Sequence, residues 1–263
     1  MVDRASFALT LGTVVLLSTS CAEENAPESD PPPPAETTVL YSNVWSGGPG
    51  VDLSNRGAEL IRAAYEAGEL TSYVGLSNSY PGYESAVGGP ARHSNRDKEE
   101  FLTWREPEDT RQAAGTNFAH IADFATTDSS VAATVCSYEI FSEPHANITL
   151  NPLNAAFRVE LERTADDAGQ PGIPDTDPAR QDPRANRVPT WNVFEGWKIT
   201  KLHYLRRLDG DVIPQGCTDW WQQQFPAFAA NASGNLVPPP GFEPPTMPVA
   251  VQYPEWIGPA NSE

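Results

Sequence analysis

Cysteine is the side chain with the widest chemical range in this sequence, and the chain carries three, at positions 21, 136 and 217. A zinc site at Cys136 or Cys217 is disfavoured, because neither has a CxxC partner or a nearby pair of histidines. Cys136 is also a poor nucleophile, since its neighbours are typical of a strand interior and offer no adjacent base. The cellular compartment of the chain therefore decides what these thiols do.

The start of the chain carries an export pattern. An uncharged apolar run at residues 7–17 is followed by small polar residues and then by Cys21. This order is typical of a signal peptide. The run has about eleven residues, whereas a helix needs about 20 to cross the apolar part of a bilayer. Residues 1–20 are therefore predicted to be a cleaved signal peptide rather than a transmembrane anchor.

The segment Leu17-Ser18-Thr19-Ser20-Cys21 resembles the lipobox of bacterial lipoproteins, in which the cysteine becomes the first mature residue and carries diacylglycerol. It departs from that pattern because Ser18, not leucine, stands three positions before Cys21. The resemblance implies lipidation of Cys21 and a location outside the cytoplasm, at the membrane surface of the cell envelope. A plain secreted protein is the alternative.

Lipidation of Cys21 would leave Cys136 and Cys217 as the two remaining thiols. An oxidising compartment favours a disulfide between them. That disulfide would close a loop of about 80 residues, which stabilises the fold by about 4 kcal/mol in the chain-entropy model. Two buried free thiols are the alternative.

The segment after Cys21 and the net charge limit the partners. Residues 21–40 combine acidic residues, serine and four consecutive prolines without an apolar period, so they are predicted to form a disordered tether. The formal charge is −18, and removal of residues 1–20 takes away one Asp and one Arg, so it is unchanged. Such a chain lacks the basic patch that nucleic acid requires and is repelled by anionic lipid. Membrane attachment must then come from the lipid.

Hydrophobic periodicity predicts a single α+β domain over residues 41–225. The segment RGAELIRAAYEAGEL has its apolar residues on one helical face. Ser54 or Asn55 is expected to cap this helix, and Gly68 is expected to end it. Residues 98–112 are predicted to be loop or helix, interrupted by Pro107.

Runs rich in β-branched and aromatic residues predict antiparallel strands at 116–124, 130–142, 155–163 and 191–205. In the last strand the apolar residues change phase, which predicts a β-bulge near Thr200-Lys201. Thr218-Asp219 is expected to cap a short helix that carries Trp220, Trp221 and Phe225.

Two stretches lack an apolar period. Residues 164–190 are acidic and rich in proline, so they are predicted to be an insert loop. Asp175-x-Asp177 within it lacks the glycine and glutamate of a calcium loop, and no metal or cofactor is expected. Residues 226–263 are predicted to be a Pro-rich, extended tail, either draped on the domain or free.

A leading helix followed by long antiparallel strands that end in GWKITKLHYL is similar to the nuclear transport factor 2-like fold, which SnoaL-like proteins share. The resemblance covers about residues 53–205, and its best motif is Gly-Trp-Lys-Ile-Thr at 196–200. The order of lipobox, tether and Pro-rich ending also resembles lipoproteins of mycobacteria. The resemblance implies a cone in which a curved antiparallel sheet packs on N-terminal helices around an apolar pocket.

Enzymes of this resembled family use Asp, His or Tyr side chains inside the pocket for proton transfer, because burial moves their pKa values toward neutrality. The resemblance thus makes the following residues candidates for the pocket: Tyr65, Tyr73, His120, Asp123, Tyr138 and His203. His120 and Asp123 are three positions apart on a predicted strand, so they are expected to face opposite sides of the sheet.

Three functions remain open. A non-catalytic envelope protein that binds a small apolar ligand or a partner protein is favoured, using the pocket and a rim formed by Tyr73, Tyr80, Tyr83, Trp220 and Trp221. The second is a small hydratase- or isomerase-like enzyme. The third is a secreted polysaccharide-binding protein with an exposed Trp220-Trp221 platform. The motifs of serine hydrolases, zinc proteases, P-loop proteins and dinucleotide-binding proteins are absent from the sequence.

Overall fold

The computed structural model describes residues 40–88, 114–144, 153–177, 179 and 182–259. The predicted signal peptide, the proposed lipidation site Cys21, the tether up to residue 39 and the segment 98–112 lie outside the described residues. None of the helices within the described part has the length and apolar character needed to cross a membrane.

The described residues form an α+β fold. Its helices are α1 (Arg56–Val74), α2 (Tyr83–Ala86) and α3 (Gln215–Gln224), with 3₁₀ turns at Leu76–Asn78 and Arg207–Asp209. Its long strands are β1 (Tyr41–Gly47), β2 (Gly115–Thr126), β3 (Ser130–Phe141), β4 (Ala155–Arg163) and β6 (Trp197–Tyr204). Four short strands complete it, namely β5 (Ala185–Asn186), β7 (Ala229–Ala230), β8 (Leu236–Val237) and β9 (Trp256–Ile257).

The five long strands form one mixed sheet in the order β1-β2-β3-β4-β6. The α+β class predicted from the sequence is confirmed. The sheet differs from the expected antiparallel one, because β1 pairs parallel to β2 while the other neighbours are antiparallel. β1 was not predicted, and helix α1 provides the crossover that a parallel pair requires.

The predicted β-bulge in the last strand is confirmed. Ile199 pairs with Leu161 and Lys201 pairs with Glu160, so Thr200 is the extra residue. A second irregularity lies in β2 between Ala122 and Ala125. These bulges increase the local bend and twist of the strands that carry them.

Helix α1 covers one face of the sheet and α3 covers the other, because the strands alternate between two apolar faces. Val131, Ala133 and Val135 of β3 belong to the core cluster under α1. Cys136 and Tyr138 belong to a second cluster under α3. The predicted disulfide between Cys136 and Cys217 is confirmed, and it joins β3 to α3.

The Pro-rich C-terminal segment lies against the domain and contributes to its core. Tyr253 lies parallel to β1, since its N–H donates to the carbonyl of Asn43 and its carbonyl accepts from the N–H of Trp45. Strand β9 then pairs antiparallel with β5 of the insert. Trp256 of β9 is 1% exposed within the cluster under α1. The segment therefore closes the β1 edge of the sheet.

Candidate functional site

Two of the pocket residues predicted from the sequence lie on the α1 face of the sheet. Tyr65 is buried with its ring edge-on to Trp45 and to Phe157, at centroid distances of 5.6 and 5.2 Å. Tyr73 is partly buried and packs on Tyr41 at 4.7 Å. Aromatic side chains thus fill this part of the space between helix and sheet.

Two others, His120 and Tyr138, come together on the opposite face around Trp220. The Trp220 ring stacks on His120 at 5.0 Å and lies 5.1 Å from Tyr138. Burial lowers the pKa of His120 and raises the pKa of Tyr138 to about 12. His120 Nδ1 also lies 2.8 Å from Ser46 Oγ. At neutral pH this group therefore consists of the neutral imidazole of His120 and the neutral hydroxyls of Ser46 and Tyr138.

The remaining two predicted residues stand apart from both groups. Asp123 is exposed and lies at the β2 irregularity with a φ of 49°. His203 Nε2 lies 3.1 Å from Asp211 Oδ2, at the loop that follows β6. The pKa of Asp211 is lowered, first of all because it accepts the backbone N–H of Arg206. The six predicted residues are therefore distributed over both faces of the sheet.

The aromatic residues predicted to form a binding rim are mostly buried. Trp220 is 9% exposed and Trp221 is 3% exposed, and Trp221 Nε1 donates to the carbonyl of Ser137. Tyr80 and Tyr83 are also buried. Trp220-Trp221 therefore cannot serve as a stacking platform for a sugar.

A buried carboxylate lies at the centre of the α1 face. Glu66 is 1% exposed, and three side chains donate hydrogen bonds to it. They are Trp45 Nε1 at 2.7 Å, Tyr80 OH at 2.5 Å and Trp256 Nε1 at 3.0 Å. Burial raises the pKa of Glu66 despite these donors and the nearby Arg62 charge, both of which lower it. Glu66 thus ties β1, the 3₁₀ region and the C-terminal segment to α1.

One turn before Glu66, Arg62 lies between α1 and the C-terminal segment. Its guanidinium carbon is 4.5 Å from the centroid of the Trp256 ring, a cation–π geometry. Its Nη1 donates to the carbonyl of Pro254 over 3.3 Å. The side chain is buried, and its Nε has no hydrogen-bond partner. Buried donors without a partner are rare in folded proteins, and this atom is enclosed by the protein.

We expect the Glu66→Gln variant to lose a pH-dependent part of the protein's stability. The folded-state pKa of Glu66 is raised above its ordinary value of 4.5. The part of the unfolding free energy that Glu66 contributes is therefore fully present below pH 4.5, and it is lost as pH rises through the raised pKa. The difference in unfolding free energy between wild type and Glu66→Gln should therefore decrease from pH 4.5 upward. Urea titrations at several pH values measure it.

The control for this experiment is Glu195→Gln, which changes an exposed glutamate. It measures what a glutamate-to-glutamine change outside the buried cluster does to the unfolding free energy over the same pH range. A constant difference for Glu66→Gln would contradict the pKa shift.

Arg62 also lines a surface cleft, here termed the Arg62 cleft, which encloses about 330 Å³ including its open mouth. Its walls come from α1, the insert, the residue that follows the insert and the C-terminal segment, and they include Glu59, Arg62, Gly172, Asp175, Trp191 and Trp256. Glu59 accepts from Gly172 N at 2.7 Å and forms an ion pair with Arg56. Asp175 accepts from Glu255 N at 2.9 Å. These bonds fix both carboxylates at the wall of the cleft.

No protein-family model, curated protein or solved structure matches this chain. The site must therefore be interpreted from its own chemistry. Within the described ranges, no group of three or more His, Cys, Asp or Glu side chains is placed to hold a metal ion.

Sequence reasoning missed Arg62, Glu66 and Trp256. Two signals could have indicated them. Arg62 and Glu66 are four residues apart on α1, so they lie next to each other on one helical face, where they could be expected to interact with the same partner. Trp256 is a large aromatic residue in a segment otherwise typical of a free tail, and tryptophan is highly buried on average.

Proposed function

We propose that this chain is an exported protein, anchored at a membrane surface by lipid on Cys21, whose domain binds a ligand outside the cytoplasm. The observation that carries the proposal is the Cys136–Cys217 disulfide. Disulfides form and persist in oxidising compartments, and both of these cysteines are fully buried between β3 and α3. The lipobox-like segment before Cys21 supplies the anchor, and the acidic tether spaces the domain from the lipid.

Binding rather than catalysis is supported by the distribution of the polar groups. A general acid or base must reach its substrate, and Trp220 occupies one face of the His120 ring. On the other face, Tyr65, Trp45 and Phe157 fill the space in which a cone-shaped fold would hold an apolar ligand. The Arg62 cleft, by contrast, is open to solvent and carries two carboxylates and a half-buried indole on its walls. We assign ligand binding to this cleft.

The proposal includes a nuclear transport factor 2-like cone as the finer description of the fold. Contacts of α1 with β3, β4 and β6 support it, because a helix against an antiparallel sheet is the core of that fold. The bulge at Thr200 supports the required bend of the sheet. The parallel pairing of β1 with β2 is a departure from a purely antiparallel cone.

The anchor is tested by expressing the chain in a bacterial host and separating membranes from soluble fractions. The wild-type protein should sediment with membranes and move into the detergent phase on extraction. The Cys21→Ser variant should lose this behaviour, since the chain has no other cysteine upstream of its domain. Its control is Ser20→Ala, which keeps Cys21. Membrane association that survives Cys21→Ser would contradict the lipid anchor.

A further inference from the structure

We propose that an apolar surface at the point where the tether enters the domain rests on a bilayer of zwitterionic lipid. This inference rests on the proposed lipid anchor and adds a second contact with the membrane, made by the domain itself. The surface, here termed the basal patch, consists of four exposed apolar side chains, Leu40, Val188, Val249 and Val251.

The C-terminal segment is fixed across one end of the sheet. Gly115 at the start of β2 pairs with Phe141 at the end of β3, and β1 begins at the same end. The N–H of Met247 donates to the carbonyl of Phe141 at 3.1 Å. Further along the segment, the N–H of Ala250 donates to Thr116 Oγ1 at 2.9 Å. The segment therefore passes from β3 to β1 over this end of the sheet.

These bonds place Leu40 close to two exposed valines. The carbonyl of Leu40 accepts the N–H of Gly115 at 3.3 Å. The residue after Gly115 is the one whose hydroxyl holds Ala250. Val249 and Val251 stand on either side of Ala250, so the first described residue and both valines lie at the same end of the sheet.

Val188 joins the patch from the insert. Gln252 follows Val251, and its Nε2 donates to the carbonyl of Arg187, the residue before Val188, at 2.9 Å. Three separate segments thus bring exposed apolar side chains to one place. Single exposed apolar residues are common on any protein, whereas a contiguous group marks a contact surface.

The tether indicates what this surface contacts. Only residues 22–39 separate Cys21 from Leu40. Fully extended, they span at most about 65 Å. With lipid on Cys21, the patch is held near the bilayer, and tethering gives even a weak contact a high effective concentration. Four side chains are too few to hold the protein on a bilayer without the tether, since even one acyl chain binds only marginally.

Charge selects the class of lipid. The chain has a formal charge of −18, so a strongly anionic bilayer repels it. Charges of both signs border the patch, because Arg187 precedes Val188 and the Glu139 carboxylate lies beside Gly115. A zwitterionic bilayer has no net charge, and apolar side chains can enter its interface.

The test uses the mature chain that begins at Cys21, coupled through the Cys21 thiol to a maleimide lipid. The lipid is carried in phosphatidylcholine nanodiscs in which a share of the head groups bears a nitroxide. Cys136 and Cys217 are joined to each other, so Cys21 offers the thiol for coupling. Methyl NMR measures the paramagnetic broadening of the valine and leucine signals. We expect strong broadening of Val188 and little of Leu208, which is 86% exposed in the loop after β6.

Val251→Asp should reduce the broadening of Val188 about tenfold, because burial of one exposed valine changes an equilibrium constant by about that factor. Its matched control is Ser129→Asp, which adds the same charge in the turn between β2 and β3, at the opposite end of the sheet. Both positions are exposed, so both variants should fold as wild type does. Ser129→Asp should leave the broadening of Val188 unchanged.

The inference is overturned if Leu208 is broadened as strongly as Val188, or if Val251→Asp has no effect on Val188. It is also overturned if the patch signals escape the nitroxide and instead shift with protein concentration in the absence of lipid, since a second copy of the chain would then cover the patch. The lipid is attached chemically in this experiment. Failure of the patch is therefore distinguishable from failure of the proposed anchor, which the Cys21→Ser variant tests in cells.

Discussion

The Trp256→Ala variant should lose about 4 kcal/mol of unfolding free energy, in the range of a buried aromatic residue truncated to alanine. Trp256 is 1% exposed, packs edge-on to Tyr80 at 5.7 Å and donates to Glu66. Its removal leaves a cavity and takes one donor from a buried carboxylate. It also removes the ring over which the Arg62 guanidinium lies. Urea unfolding at neutral pH measures the loss.

Val251→Ala is the matched control in the same segment. Since Val251 is 65% exposed, its truncation should change the unfolding free energy by less than about 0.5 kcal/mol. Equal, small effects of the two variants would show that the C-terminal segment is not part of the cooperative core. A large effect of Trp256→Ala alone would show that the Pro-rich C-terminal segment stabilises the domain.

The second large effect concerns the disulfide. The double variant Cys136→Ala/Cys217→Ala should be less stable than the oxidised wild type by about 4 kcal/mol, because the bridge spans 81 positions of sequence. The loss should be largest for α3, since the disulfide and Trp221 both fasten this helix to β3. Hydrogen exchange of the α3 amides, together with denaturant unfolding, measures it.

The reduced wild type provides the control for side-chain truncation. It keeps both sulfur atoms, so the difference between oxidised and reduced wild type isolates the cross-link. We expect that difference to account for most of the loss in the double variant. An unchanged unfolding midpoint on complete reduction would contradict a stabilising role for the disulfide.

The parts of the fold that follow local patterns could be predicted from the sequence. Alternation over residues 155–163 gives β4, and the phase change in the following strand gives the bulge at Thr200. Asn55 caps α1 as expected, because its side chain accepts from Gly57 N at 2.8 Å. These features depend on neighbours in the chain, which is why a local pattern carries them.

Features that depend on distant partners were missed or misplaced. α1 continues past Gly68 to Val74 and is capped by Gly75, because Gly68 is buried against the rest of the fold rather than placed at a turn. α3 begins at Gln215, three residues before the expected cap at Thr218. Local propensity cannot place such boundaries, since tertiary packing decides them.

The candidate site was less predictable than the fold. The cleft joins Arg62 of α1, the insert, Trp191 directly after it and the C-terminal segment, which are far apart in sequence. The insert was expected to be a loop, yet Ile173 donates its N–H to the carbonyl of Ile257 and β5 pairs with β9. The insert and the C-terminal segment both lack an apolar period, so the site that they form leaves no periodic signal in the sequence.

The most direct test of the proposed function is the intact mass of the protein purified from a membrane fraction, measured before and after reduction. We predict a chain that begins at Cys21, carries the mass of a lipid, and gains two hydrogens on reduction as Cys136 and Cys217 are released. A chain of unlipidated mass found in the soluble fraction, or a mass unchanged by reduction, would contradict the account of an exported, lipid-anchored and disulfide-bonded binding protein.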